Sequence, residues 1–404
     1  MNKQIQMALA VTWLFSAIGI PVDGADWLRF RGPDGSGVAL DKNLPVEWSE
    51  ENNVAWKAEL PGRGISSPIV IGDRVVLTSC SGYRQDRLHV LCFAAASGKK
   101  LWQRQFWATG RTMCHAKTTT AAPTPSSDGR RIFAHFSTND MACLDLEGNL
   151  LWLRGLLLQY PNASGSLGLA SSPVVVGETL VTQIETDSQS VALGLDAATG
   201  ETRWEVNRPQ SNNWSSPITI RDDEGTDFVV MQAGDGLKAY DPTNGELVWH
   251  FPEPCGKTAS SGLAGNVIFV PCQGLTALRF NTSDTEPELL WQEDRLSPSS
   301  PSPLTYGGKV YLLSGSILKC ADAETGEMEW QLRLQGNFTS SPVGGGGRVY
   351  CFNEEGMGQV VEPGVNGSIA ASNTLDEGLV SSPAIANGAL YVRSYNHLWK
   401  IAEK

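Results

Sequence analysis

The 404-residue sequence lacks the short motifs that mark common catalytic and metal centres. Its eight cysteines form no Cys-x-x-Cys and no Cys-x-x-Cys-His, which argues against a zinc ribbon, a thioredoxin-type site and covalently attached haem. The five histidines have no metal-ligand spacing, and no Gly-x-Ser-x-Gly nucleophile elbow is present. These absences leave the sequence without a catalytic assignment by motif.

Positive charge is also scarce. The chain has 31 Lys and Arg against 43 Asp and Glu, a net charge of −12, and no basic cluster. An acidic protein of this kind is a poor candidate for binding nucleic acid or an anionic membrane through charge. We therefore expect no nucleic-acid partner.

An apolar stretch near the N terminus predicts export. Residues 7–20 are apolar, follow Lys3 and precede Pro21-Val-Asp-Gly-Ala25, which is typical of a signal peptide over residues 1–24 cleaved after Gly24 or Ala25. An uncleaved membrane anchor is the alternative, but the stretch is short for a membrane span. No cysteine follows it at the cleavage point, so we expect no lipid anchor. The predicted location is periplasmic or extracellular.

What the sequence does contain is a repeat. The stretch Asp322-Ala-Glu-Thr-Gly-Glu-Met-Glu-Trp330 has near copies at residues 196–204 and 241–249, and looser copies at 96–102 and 145–152. Each copy predicts the end of one strand, a tight turn and a second strand that begins near Trp. The Asp side chain can accept bonds from the amides of the turn, and Gly can adopt the positive φ that the turn requires. A repeated unit of this kind determines the architecture.

A second marker gives the period. Ser-Ser-Pro or a close relative recurs at intervals of 39 to 55 residues, ending at Pro68, Pro123, Pro173, Pro217, Gly262, Pro303, Pro342 and Pro383. Most copies precede two strands joined by a tight hairpin, and the Asp-x-x-Thr-Gly turn adds two more. Four antiparallel strands per period and eight markers predict an all-β, eight-bladed β-propeller.

The two ends of the chain complete one blade. Residues 54–60 resemble the Trp-bearing strand of a blade whose other three strands are missing, and residues 381–401 supply these three missing strands. Pairing them closes the ring and removes two exposed sheet edges. The sequence thus predicts a strap over residues 25–52, packed on the outside of one propeller domain over residues 53–404.

The Asp-x-x-Thr-Gly-x-x-x-Trp repeats resemble those of the pyrroloquinoline-quinone (PQQ) repeat family over about residues 56–401. The opening Trp27-Leu-Arg-Phe-Arg-Gly-Pro33 also resembles an exported bacterial subgroup of these propellers. The resemblance implies that one Trp per repeat docks neighbouring blades, and the seventh repeat, Gly367-Ser-Ile-Ala-Ala371, has none. The residues that match this docking position are Trp56, Trp102, Trp152, Trp204, Trp249, Trp291 and Trp330.

The resemblance implies two rival functions. Quinoprotein alcohol dehydrogenases clamp PQQ with an adjacent Cys-Cys pair and place an Asp base near calcium, whereas this sequence has no Cys-Cys and no matching ligand motif. The BamB-like barrel-assembly lipoprotein binds partner proteins without catalysis, although this chain lacks its lipidated Cys.

We expect a monomeric, non-catalytic binding or scaffold protein with no cofactor, whose partners are other exported or envelope proteins or an unknown small ligand. The alternatives are a PQQ-dependent dehydrogenase with calcium that oxidises an alcohol or sugar, and an accessory domain beside a separate enzyme.

Segments that lead into the Ser-Ser-Pro strands should lie at one mouth of the central channel and could converge on a ligand. Their cationic and aromatic groups would suit an anionic or quinone-like ligand or an acidic peptide. The alternative is an ordinary solvated rim. The candidate residues are Arg63, Arg111, His115, Lys117, Asn213, Trp214, Lys257 and Asn337.

Two cysteine pairs flank hairpins. Cys80 with Cys92, and Cys255 with Cys272, could form cross-strand disulfides in an oxidising compartment. A one-residue change of register would point the side chains to opposite faces, so the sequence leaves the pairing open.

Overall fold

Thirty-two β-strands form eight four-stranded sheets in the computed structural model, which describes residues 26–280 and 286–403. Every sheet is antiparallel, and the described residues contain no α-helix beyond a 3-10 turn at Leu156–Leu158. The predicted eight-bladed propeller is confirmed. The predicted signal peptide over residues 1–24 lies outside the described part of the chain.

Each of the first seven blades is built from four consecutive strands, numbered from the channel outwards. Blade 1 contains β2 (Ile69–Ile71), β3 (Arg74–Ser81), β4 (Arg87–Ala94) and β5 (Lys100–Trp107). Blade 2 contains β6 (Ser126–Ser127), β7 (Arg131–His135), β8 (Asp140–Asp145) and β9 (Leu150–Gly155). Blade 3 contains β10 (Val174–Val176), β11 (Thr179–Ile184), β12 (Val191–Asp196) and β13 (Thr202–Asn207). Blade 4 contains β14 (Ile218–Arg221), β15 (Asp227–Ala233), β16 (Gly236–Tyr240) and β17 (Leu247–Phe251).

The second half of the ring repeats this order. Blade 5 contains β18 (Gly262–Ala264), β19 (Val267–Val270), β20 (Leu275–Arg279) and β21 (Glu288–Glu293). Blade 6 contains β22 (Leu304–Tyr306), β23 (Lys309–Ser314), β24 (Ile317–Asp322) and β25 (Met328–Arg333). Blade 7 contains β26 (Val343–Gly345), β27 (Arg348–Phe352), β28 (Met357–Glu362) and β29 (Ser368–Thr374). Blade 8 contains β30 (Ala384–Ala386), β31 (Ala389–Arg393), β32 (His397–Ala402) and, as its outer strand, β1 (Val54–Glu59).

The N-terminal strand closes the ring. Strand β1 pairs antiparallel with β32, with Trp56 opposite Lys400 and Glu59 opposite His397. This confirms the predicted closure, in which the two ends of the propeller domain share blade 8.

Burial differs between inner and outer strands. Strand β11 is buried at every position, whereas β13 in the same blade is buried only at Trp204. Inner strands lie between two neighbouring blades and therefore need apolar residues on both faces. Outer strands have room for charged residues next to the Trp.

In blades 1–4, 6 and 7, a turn holds a Trp of the preceding blade. In blade 3, the carboxylate of Asp196 accepts bonds from two amides of its own turn, those of Ala198 and Thr199, both at 2.9 Å. The turn then places Gly200, with φ of +75°, against the Trp152 ring, where a Cβ would lie 2.7 Å from a ring carbon. The Trp152 indole N–H donates to the carbonyl of Ala197 at 3.1 Å.

The same geometry recurs around the ring. Indole N–H groups donate to a carbonyl of the next blade at 2.9–3.1 Å from Trp56, Trp102, Trp152, Trp204 and Trp291. Trp330 packs on Gly367 without a hydrogen bond from its indole, and residues 281–285, which follow β20 in blade 5, lie outside the described chain. In blade 7 the matching position is Ala371, opposite Val360.

In the loop leading into each innermost strand, one buried hydroxyl accepts a hydrogen bond from the preceding blade, and these hydroxyls join the blades. The backbone N–H of each such residue donates to the side-chain oxygen of its counterpart in the next blade at 2.9–3.1 Å. The eight bonds form a closed circle, since Ser382 of blade 8 donates to Ser67 of blade 1. We call this set the hydroxyl ring: Ser67, Thr124, Ser172, Ser216, Ser260, Ser302, Ser341 and Ser382.

The hydroxyl ring shows that two of the sequence markers were assigned to the wrong residue. Thr124 precedes Pro125, so the blade 2 marker ends at Pro125 and not at Pro123. Ser260 precedes Ser261, so the blade 5 marker ends at Ser261 and not at Gly262. Both errors arose because the motif is degenerate there, whereas the hydrogen bond requires only a hydroxyl.

Residues 26–53 run across one end of the propeller. Trp27 forms a bridge with Val70 of blade 1, Val38 forms one with Gly344 of blade 7, and Trp48 stacks on Phe352 at 5.7 Å. The segment predicted to pack on the outside therefore also passes over the channel axis.

Arg31 fixes the middle of this strap. Its buried guanidinium donates to the carbonyls of Ser36 at 2.8 Å, of Ser261 at 3.1 Å and of Pro303. Burial lowers the pKa of Arg31 to about 10, so the group stays cationic at neutral pH. The strap is thereby joined to the carbonyls that follow two ring residues.

The strand register shows which of the two candidate disulfides can form. Cys255 and Cys272 are bonded, at a sequence separation of 17. Cys80 faces Leu88 and Cys92 faces Val76, so these two cysteines do not pair and both thiols are free and buried. No helix in the described part of the chain is long and apolar enough to cross a membrane.

Candidate binding channel

The central channel is a cavity of about 800 Å³ that all eight blades line with the hydroxyl ring. Phe30 of the strap lies at its closed end. Fourteen of the 27 lining residues are Ser or Thr, so neutral hydroxyls form most of the wall. The charged or titratable side chains are Lys117, Glu354 and His115.

Two long loops form the open mouth. The His115 amide donates to the carbonyl of Leu167 at 3.1 Å, which joins the loop before blade 2 to the loop before blade 3. Lys117 then reaches Glu354 of blade 7, with its Nζ 3.2 Å from both carboxylate oxygens. These two loops account for the longest intervals between the sequence markers.

Glu354 is the only carboxylate that lines the cavity among the described residues. The Thr339 hydroxyl donates to it at 2.6 Å. This bond, followed by the nearby Lys117 ammonium, holds the pKa of Glu354 below its usual value of 4.5. The carboxylate is therefore ionised at neutral pH and already paired.

Trp214 supplies an aromatic wall. Its indole N–H donates to the carbonyl of Gly168 at 3.0 Å, and its backbone N–H donates to the carbonyl of Lys257 at 2.7 Å. Phe338 lines the cavity as well. The Trp214 ring is held in place from two neighbouring loops, so it can offer a fixed apolar face to a ligand.

The eight predicted mouth residues divide into two groups. His115, Lys117, Trp214 and Asn337 line the cavity. Arg63, Arg111, Asn213 and Lys257 do not line it.

The residues outside the cavity have other contacts. Arg63 forms a backbone bridge with Cys80, and Arg111 is exposed. Asn213 is buried and donates to the Glu185 carboxylate at 2.9 Å, and Lys257 donates to the Ser211 hydroxyl at 2.6 Å.

Sequence reasoning missed the hydroxyl ring, Phe30 and Glu354. The ring had a signal, because the residue before the marker Pro is Ser in most repeats. Phe30 and Glu354 had none, because each reaches the channel from a segment far away in sequence.

The described residues contain no group of three or more His, Cys, Asp or Glu side chains that could hold a metal ion. They also contain no adjacent cysteine pair that could clamp a quinone. The donor set at the mouth, one carboxylate paired with one lysine, therefore does not fit the PQQ–calcium group of a quinoprotein.

A family model described as outer membrane protein assembly factor BamB matches residues 25–216, 162–267, 284–364 and 316–404. The chain belongs to this BamB family. No curated protein sequence matches it significantly.

Solved structures similar to this BamB-family chain share its fold. BamB from Moraxella catarrhalis has 17% identity and a TM-score of 0.61, covering 86% of this chain and 96% of its own. The quinohemoprotein alcohol dehydrogenase from Comamonas testosteroni has 12% identity and a TM-score of 0.69, covering 94% and 81%. The computationally designed Ika8 protein has 14% identity and a TM-score of 0.58, covering 85% and 99%. Identities this low establish the fold and leave the function to the site.

Proposed function

We propose that this BamB-family propeller is an exported, non-catalytic binding protein that engages an envelope protein or a small ligand at the channel mouth. The observation that carries the proposal is the shape of the channel. It is closed at one end by the strap and open at the other, where Lys117, Trp214 and Asn337 lie together. A concave site with an aromatic wall and a few polar groups is typical of binding sites.

The chemistry of the mouth supports binding rather than turnover. General acid–base catalysis needs a group whose proton can move at the working pH. Glu354 already accepts bonds from the Thr339 hydroxyl and the Lys117 ammonium, so its oxygens are engaged within the protein and not free for a substrate. No second carboxylate lines the cavity in the described residues, so two carboxylates are not available there as a paired acid and base.

The alternative function is a PQQ-dependent dehydrogenase that oxidises an alcohol or sugar. The fixed indole of Trp214 and the hydroxyl-rich wall favour it, since they could accept a flat ligand with carboxylates. The missing calcium ligands among the described residues weigh against it.

Titration of the mature protein with PQQ, with and without calcium, tests the proposal against this alternative. A ligand at about 100 times its Kd stabilises a fold by roughly 2.7 kcal/mol, which a melting curve resolves. We expect no calcium-dependent rise in melting temperature. A saturable, calcium-dependent rise would overturn the non-catalytic assignment and favour the dehydrogenase.

Site-specific photo-crosslinking in a bacterial host tests the partner. A photoreactive residue at Asn337, which lines the mouth, should give discrete adducts with an envelope protein. The same residue at Val365, which is 88% exposed on the outer rim of blade 7, should not. Equal adducts from both positions would mean that the mouth is not the binding site.

A further inference from the structure

The hydroxyl ring has hydrogen-bond donors that no described residue accepts. Each ring oxygen accepts one backbone N–H from the preceding blade, so its own proton is left to donate elsewhere. A hydroxyl carries one donor proton and two acceptor lone pairs. All eight residues line the cavity, and their donors are therefore available to its contents.

These donors are deeply placed. The ring residues are between 2% and 7% exposed. A buried donor left without an acceptor destabilises a protein by about 1–3 kcal/mol. Eight such donors around one cavity therefore require acceptors from the solvent or from a ligand.

The charges nearest the ring are balanced and do not repel an anion. Arg31 of the strap is buried, its guanidinium bonds only to carbonyls, and the nearby Asp34 carboxylate raises its pKa against the larger effect of burial. At the mouth, Lys117 neutralises the single carboxylate, Glu354. The channel therefore carries no uncompensated negative charge, although the whole protein has a net charge of −12.

We propose that the hydroxyl ring is a binding site for a polyanion, a ligand bearing several carboxylate or oxyanion groups that enters through the mouth. Several groups are needed because the donors are spread around the wall of an 800 Å³ cavity. The inference rests on the proposed binding function and names the chemistry that the channel recognises. The acceptors come from a free small polyanion or from an acidic segment of a partner polypeptide.

Calorimetric titration at constant ionic strength tests the site with citrate, inorganic tripolyphosphate and a hexaglutamate peptide as probes. We expect saturable 1:1 binding of at least one probe, independent of calcium. Binding of citrate or tripolyphosphate assigns a free small polyanion, and binding of hexaglutamate alone assigns an acidic polypeptide. Failure of all three to bind would overturn the proposal.

Three variants locate the binding in the ring. Ser172→Ala removes one donor and should weaken binding about tenfold, the effect of one hydrogen bond to a charged group. Ser172→Thr keeps the hydroxyl, as Thr124 does naturally, and should bind within about threefold of the wild type. Ser171→Ala is the matched control, because Ser171 is equally buried, makes no hydrogen bond through its hydroxyl and does not line the cavity. Equal weakening by Ser171→Ala and Ser172→Ala would exclude the ring as the site.

Melting temperatures of all three variants separate loss of binding from loss of fold. Ser172→Thr retains both the acceptor for Thr124 and the donor, so it controls for packing, and if Ser172→Ala does not fold, the titration of the wild type with the three probes decides the proposal. The outcome is also independent of the crosslinking test. Anion binding without crosslinked adducts from Asn337 would exclude the envelope partner and keep the ring site. Adducts without anion binding would keep the envelope partner and exclude the ring site.

Discussion

Adding one methyl group at Gly200 should weaken the contact between blades 2 and 3. Gly200 has a φ of +75°, and a Cβ there would lie 2.7 Å from the Trp152 ring. A left-handed alanine costs about 1–2 kcal/mol, partly offset by lower entropy of the unfolded chain. Overpacking against a buried ring costs a further 1–3 kcal/mol. The Gly200→Ala variant is therefore expected to lose about 2–4 kcal/mol of its free energy of unfolding.

Gly177→Ala separates these two effects. Gly177 is in the same blade and has a φ of +55°, but nothing lies within 4 Å of the position that its Cβ would take. The Gly177→Ala variant should lose only about 1 kcal/mol of its free energy of unfolding, which is the cost of the backbone conformation. Urea unfolding followed by tryptophan fluorescence measures both free energies.

A double-mutant cycle with Trp152→Ala then tests the contact itself. Once the indole is removed, Gly200→Ala should cost no more than Gly177→Ala, which gives a coupling free energy of at least about 1 kcal/mol. If Gly200→Ala destabilises the wild-type protein no more than Gly177→Ala does, the Trp152 indole does not pack on this turn and the reasoning fails.

Three further predictions concern other parts of the molecule. Burial lowers the pKa of His135 from 6.5 to about 3, so the unfolded chain binds a proton that the folded one does not below pH 6.5. Stability should therefore fall by about 2 kcal/mol between pH 7 and pH 5, and unfolding curves of His135→Gln should lack that part of the slope. Loss of the Cys255–Cys272 disulfide, whose ends are 17 residues apart, should destabilise the protein by about 3 kcal/mol. An unchanged urea midpoint for the double Ala variant would contradict this estimate. The Lys117–Glu354 pair is 64% and 24% exposed, so Lys117→Met should cost less than about 1 kcal/mol. The same variant should speed amide hydrogen exchange in residues 111–118, and an unchanged exchange rate would show that the pair does not hold the loop.

The fold could be predicted from the sequence because the same physical requirement recurs from blade to blade. Asp196 and Asp322 bond their own turn amides in the same way, and the following Gly takes the positive φ that only glycine adopts readily. Closure was predictable for the same reason, since β1 carries the Trp56 that blade 8 otherwise lacks.

The site was only partly accessible. Sequence position brought Lys117 and Trp214 to the mouth, but it could not show that Asn213 would be held by the buried Glu185. Nor could it show Phe30 at the channel end, because the path of the strap depends on contacts between distant segments. Pairings of this kind are set by tertiary geometry and leave no local pattern.

The closure of blade 8 has a consequence for the order of assembly. Strand β1 is synthesised first among the strands, and its partner β32 comes last, about 340 residues later. The entropy lost on joining them is roughly 5 kcal/mol before any contact compensates for it. During synthesis, β1 is therefore an unpaired strand until β32 has been made, with a free edge open to wrong partners. The native ring can close only after β32 has been synthesised, so the pairing of β1 with β32 has to wait for the C-terminal strands of the propeller.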